Sequence, residues 1–174
     1  MTDSHQKWQA AVHVSCKSFI AQNLKDPSGG FVPLEPAVGG AKPSSTDIAG
    51  YVSLMVQGQE ILGPDSWGLI VVFWEYFPIY LEEYLQSGKM EILFPDQPLR
   101  LSVSRIGNQL VRTTLLLDQP RSAVCSEALL IRAMCDEACR VIQLCALKQI
   151  LNGGSNDLIS RIRHACDSVV SSGL

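Results

Sequence analysis

Hydrophobic and polar positions alternate at two periods along this chain, and the change from one to the other marks its elements. Between Lys7 and Leu24 the residues Trp8, Ala11, Val12, Cys16, Phe19 and Ile20 recur at spacings of three and four, with Lys7, Gln9, His13, Lys17 and Gln22 between them. That spacing predicts an amphipathic N-terminal helix within residues 1–25. Residues 26–47 hold prolines and glycines with no period, which predicts a linker or long surface loop. From residue 48 to 174 the pattern predicts an α+β domain whose core is shared with the first helix.

Within that domain, Gly50 to Gln57 is short, apolar and partly β-branched, and Gly58 offers a turn into Glu60, Ile61 and Leu62. A hairpin is expected. Asp65 or Ser66 then caps a helix running toward Ser87-Gly88, in which Pro78 lacks an amide hydrogen and predicts a kink or break near Trp74 to Phe77. Lys89 to Phe94 reads as a short strand. Leu99 to Arg105 alternates strictly, and pairing it with Leu110 to Leu117 around a three-residue loop sets Leu101 against Leu115 and Val103 against Thr113. A long helix is expected from about Ala123 to Leu151, with Arg132, Asp136, Arg140 and Gln143 as a narrow polar stripe. A last helix starts near Asn156 and places Leu158, Ile162, Ala165, Cys166 and Val169 on one face. Strands grouped without βαβ alternation predict a small antiparallel sheet of about four strands with helices packed on one face.

Composition narrows the class. An apolar share of 47% against a charged share of 18% belongs to a chain that folds. The formal charge of −3 argues against nucleic-acid binding, which needs a clustered positive surface. The apolar run WGLIVVFWEYFPIYL is 15 residues long and is interrupted by Glu75 and Pro78, so it reads as a buried core helix and not a membrane span. The N-terminus lacks the order of a signal peptide, and cytoplasmic residence is expected.

Charge is unevenly placed. From Glu60 to Asp96 seven acids stand against the single base Lys89, net −6, while bases exceed acids from Gln97 onward. One reading is mutual neutralisation of the two halves within one fold. The other is an acidic surface that attracts a basic protein partner, with Glu75, Glu82, Glu83 and Asp96 as the candidate partner-binding residues. Glu75 is the most unusual of them, since a carboxylate in an apolar helix must be paired, carry a raised pKa or lie at an exposed edge.

The chemistry-bearing residues offer little else. Three of the six cysteines, Cys135, Cys139 and Cys145, fall in one predicted helix, whose geometry does not permit a disulfide framework among them, so reduced and buried thiols are expected. There is no CxxC or HExxH, and His5, His13 and His164 are far apart in sequence. Cys135 and Cys139 lie one turn apart, but no further ligands are suggested nearby, so no metal and no cofactor is expected. Cys125, near a helix start, is a notional nucleophile with His164 as base, against the simpler reading of a packed thiol. Gly153-Gly154-Ser155 lacks the lysine and spacing of a phosphate loop.

The stretch from Gly50 to about Leu147, a strand, a Trp-led helix, a short strand, a proline turn, a hairpin and a cysteine-rich helix, resembles the immunity proteins of bacterial polymorphic-toxin systems in its element order. That resemblance implies a protein that binds and blocks a toxin with no catalysis of its own, so no catalytic residue carries over. Two alternatives stay open: a small enzyme or ligand-binding domain with a pocket between helices and sheet, and a small acidic secretion chaperone. Self-association into a homo-oligomer is compatible with each.

Overall fold

The computed structural model describes residues 13–23, 26–34, 48–94, 96–151 and 153–172. Its order is β1 (Val14–Asn23), β2 (Asp26–Pro33), β3 (Ala49–Val56), β4 (Gln59–Leu62), β5 (Gly68–Leu69), α1 (Ile70–Ser87), β6 (Lys89–Leu93), β7 (Arg100–Gly107), β8 (Leu110–Leu116), β9 (Arg121–Ser126), α2 (Glu127–Leu147) and α3 (Ser155–Ser172). The class is α+β, as the pattern predicts. The strands form two antiparallel sheets where one was expected: β2-β1-β3-β4, with β5 beside β3, and β6-β7-β8-β9.

Two corrections account for the additional sheet. The predicted N-terminal helix is not found where it can be seen: Val14–Asn23 is a strand paired with both β2 and β3, and residues 7–12 lie outside the described residues. The strand's alternation is hidden because Ser18, polar in the sequence, is buried at 1% exposure on the same side as Ile20, while Cys16, Phe19 and Ile20 happen to fit a helical period. The Ser18 amide and hydroxyl have found partners inside, described below. The second correction concerns the expected linker. Asp26–Pro33 is the edge strand β2, a position that accepts Pro and Gly because one side of an edge strand forms no ladder. The rest of that segment, 35–47, lies outside the described residues.

Smaller differences have equally local causes. Helix α1 begins at Ile70, after a single 3-10 turn at Pro64–Ser66, and runs unbroken through Pro78. Gly88 ends it at φ 72°, where its amide bonds the Tyr84 carbonyl at 2.8 Å. Residues 121–126 are strand β9 rather than helix, so the long helix starts at Glu127. The β7–β8 register pairs Leu101 with Leu115 and Val103 with Thr113, as the alternation predicts. The connection is tighter than expected, with Asn108 and Gln109 at φ 50° and 60° and the strand irregular between Arg105 and Gly107. The irregularity restores the register that a plain two-residue turn would have shifted.

One hydrophobic core joins everything. Ile20 and Leu34 from the first hairpin, Trp74, Phe77 and Leu81 from α1, Met90 and Ile92 from β6, and Met134, Val141 and Ile162 from the last two helices belong to the same buried cluster. Helix α1 packs on β6 and β3, and α2 on β1 and β9, so the helices tie the two sheets together. Gly50 is required where β1, β3 and α1 meet, since a Cβ there would lie 2.2 Å from the Phe19 carbonyl oxygen. Among the described residues no helix is long and apolar enough to cross a membrane.

Candidate protein-docking face

The outer side of α1 is where the sequence reading and the structure part. A helix this apolar was expected to be buried, and Phe73, Trp74, Phe77, Leu81 and Tyr84 are. Tyr76 and Ile79 are each 52% exposed, and Leu93 on the neighbouring β6 is 54% exposed. Between helix and strand runs an open groove of about 280 Å³ lined by Val72, Phe73, Tyr76, Tyr80 and Leu93. The spacing 72, 76, 79, 80 and 83 is a helical stripe, so Glu83 lies on the same face. The helix's apolarity on all sides was the signal available in the sequence, because such a helix must find cover on each face.

Strand β6 is the terminal strand of its sheet. The bonds from the Arg105 amide to the Gly88 carbonyl and from the Phe94 amide to the Leu99 carbonyl frame the β6–β7 ladder. Antiparallel alternation between them turns Met90 and Ile92 toward β7 and leaves the amides and carbonyls of Glu91 and Leu93 facing the open edge. Lys89, which also faces outward, is already held by the Ser87 hydroxyl through both its amide and its carbonyl. Among the described residues an unpaired edge therefore runs alongside an apolar groove.

The four acids proposed from the sequence do not form one cluster. They frame α1. Glu82 is exposed and bridged to Arg161 of α3 at 2.7 Å. Glu75, seven residues earlier, lies on the same side and is half-buried, and burial pushes its carboxyl above the usual range. Glu83 is exposed on the apolar stripe, and Asp96 accepts the Leu69 amide at 3.3 Å at the N-terminal end of the helix. Much of the acidic segment is neutralised within the fold, since Glu60 and Asp65 meet Arg121, Glu82 meets Arg161 and Glu91 meets Arg100. Glu75, Glu83 and Asp96 have no ion pair among the described residues.

Two polar clusters that the sequence did not suggest are internal braces. Glu127, at the start of α2, accepts the Tyr84 hydroxyl at 2.8 Å and two nitrogens of Arg105, whose guanidinium also lies 5.3 Å from the Tyr84 ring centre. Burial disfavours the Glu127 charge, but Arg105 and Tyr84 outweigh it and hold the carboxyl below its usual range. This brace borders a cleft of about 600 Å³ with Leu85, Gln109 and Ser168, the place for a helix/sheet pocket, yet its carboxylate is already engaged on both oxygens. The second brace joins α2 to the first sheet. Glu137 accepts the Ser18 amide at 2.5 Å and pairs with Arg140, Arg140 donates to the Leu34 carbonyl, and the Ser18 hydroxyl accepts from the Trp74 indole. Cys125 is buried in β9, and desolvation pushes its thiol up to about 11, which disfavours the thiolate a nucleophile needs. Comparison of the chain with protein-family models, with curated proteins and with solved structures finds no match.

Proposed function

We propose that this chain is a non-enzymatic protein-binding protein that captures an extended, basic segment of its partner along the β6 edge and the α1 groove. The observation that carries this reading is the coincidence of an open strand edge at Glu91 and Leu93 with exposed Tyr76, Ile79 and Leu93 beside it. Main-chain bonds to an edge supply affinity, and pockets for alternate side chains supply specificity. Covering the exposed halves of those three side chains contributes on the order of 3 kcal/mol, a share of the roughly 8 kcal/mol that a micromolar complex needs. Glu75, Glu83 and Asp96 give the face a negative rim that steers a basic segment. The element-order resemblance makes a bacterial toxin the partner of first choice.

The test is selection of short peptides from a random display library against the folded chain. Selected peptides should alternate apolar residues with lysine or arginine. Tyr76→Asp with Ile79→Asp should remove their binding, whereas Leu147→Asp, at a residue 80% exposed elsewhere, should not. Peptides that bind both variants equally would refute the placement.

A further inference from the structure

Helices α2 and α3 bring three thiols together in a cleft that the docking face does not involve. Cys135 is buried and Cys166 half-buried, and both line the same cleft between the two helices. With Cys139, one turn along α2, they line an open cleft of about 370 Å³ edged by Arg132 and Arg163. Among the described residues no group of three His, Cys, Asp or Glu side chains is arranged to hold a metal ion. The arrangement has the parts of an oxidisable site: an accessible thiol, an adjacent buried one, and cations beside them.

We propose that Cys166 and Cys135 form a peroxide-oxidisable pair, with Cys166 as the attacking thiol and Cys135 as the resolving one. The direction follows from the surroundings. Cys166 is the more exposed of the two and shares the cleft with Arg132, so an oxidant reaches its sulfur before that of the buried Cys135. Cys135 is buried, and burial holds the Cys139 thiol above its usual range despite Arg163. In the first step the Cys166 thiolate attacks one oxygen of a hydroperoxide. The O–O bond breaks, sulfenic acid forms and the leaving oxygen departs as water or an alcohol after taking up a proton. In the second, Cys135 attacks the sulfenic sulfur, the S–O bond breaks, and hydroxide leaves as water with the Cys135 proton. Two thiols lose two electrons and the peroxide gains them. A dithiol reverses the change by exchange. The product is a covalent tie between α2 and α3, and α3 is the helix whose Arg161 holds Glu82 of α1.

The experiment uses the reduced full chain, titrated with hydrogen peroxide, quenched with an alkylating reagent under denaturing conditions and digested with trypsin. Cleavage after Arg132, Arg140 and Arg163 places Cys135 and Cys139 in one peptide and Cys166 in another. These two peptides should become joined, at least tenfold faster than Cys16 is lost to alkylation, and dithiothreitol should separate them. Cys135→Ser should halt Cys166 at a sulfenic acid that dimedone traps, and Cys139→Ser should leave the link intact. A link that survives Cys135→Ser and disappears in Cys139→Ser would overturn the assignment. So would oxidation of Cys166 no faster than that of Cys16, or peroxide treatment that yields no link.

Discussion

Replacing Glu137 by alanine removes the acceptor that binds α2 to the first sheet, and the size of the effect can be worked from its partners. The Ser18 amide, in a residue 1% exposed, loses its bond, a penalty of about 1–3 kcal/mol for an orphaned buried donor. Arg140 loses a bidentate partner but is 40% exposed, so solvent recovers most of that interaction and about 1 kcal/mol is lost. The total is about 3 kcal/mol, a large part of the 5–15 kcal/mol that holds a domain folded. Urea unfolding followed by tryptophan emission is the assay, with Trp74 as reporter because its indole donates to the Ser18 hydroxyl. At an m-value of about 2 kcal/mol/M the midpoint should fall by about 1.5 M. Asp136→Ala, at the exposed neighbouring position, should stay within about 0.5 kcal/mol. A Glu137→Ala midpoint within error of wild type would refute the brace.

Two further substitutions probe buried polar groups. Among the described residues the hydroxyl of Thr113 is buried without a partner, so Thr113→Val should raise stability by about 1 kcal/mol in the same urea assay. Glu75 has a folded pKa raised by burial, so the folded state binds its proton more tightly and stability falls as pH rises through that pKa. Glu75→Gln should therefore raise the thermal midpoint near neutral pH and leave it unchanged near pH 4, about where the unfolded carboxyl titrates, as read by calorimetry at both.

How much of this was legible depended on whether side-chain polarity reports burial. In β7 and β8 it does, and the cross-strand pairs Leu101–Leu115 and Val103–Thr113 follow from alternation alone. In β1 it does not, because Ser18 is buried by virtue of its bonds to Glu137 and Trp74, contacts 119 and 56 residues away in sequence. Glu127 and Glu137 were hidden for the same reason: a carboxylate among arginines reads as surface until the fold shows which pairs meet inside. The acidic segment was visible, but its partial neutralisation by Arg100, Arg121 and Arg161 is a property of tertiary structure. The docking face was half legible. Apolarity around all of α1 signalled a covered helix, and only the structure leaves Tyr76 and Ile79 exposed among the described residues and makes β6 the terminal strand of its sheet.

Amide hydrogen exchange at Glu91 and Leu93, read residue by residue by NMR with and without a selected peptide, tests the central claim most directly. In the free chain these two amides face the open edge and should exchange at least tenfold faster than those of Met90 and Ile92, which bond β7. A saturating peptide that adds a strand to this edge should slow both to the range of their neighbours. A peptide that binds and leaves the exchange of Glu91 and Leu93 unchanged would contradict capture along β6.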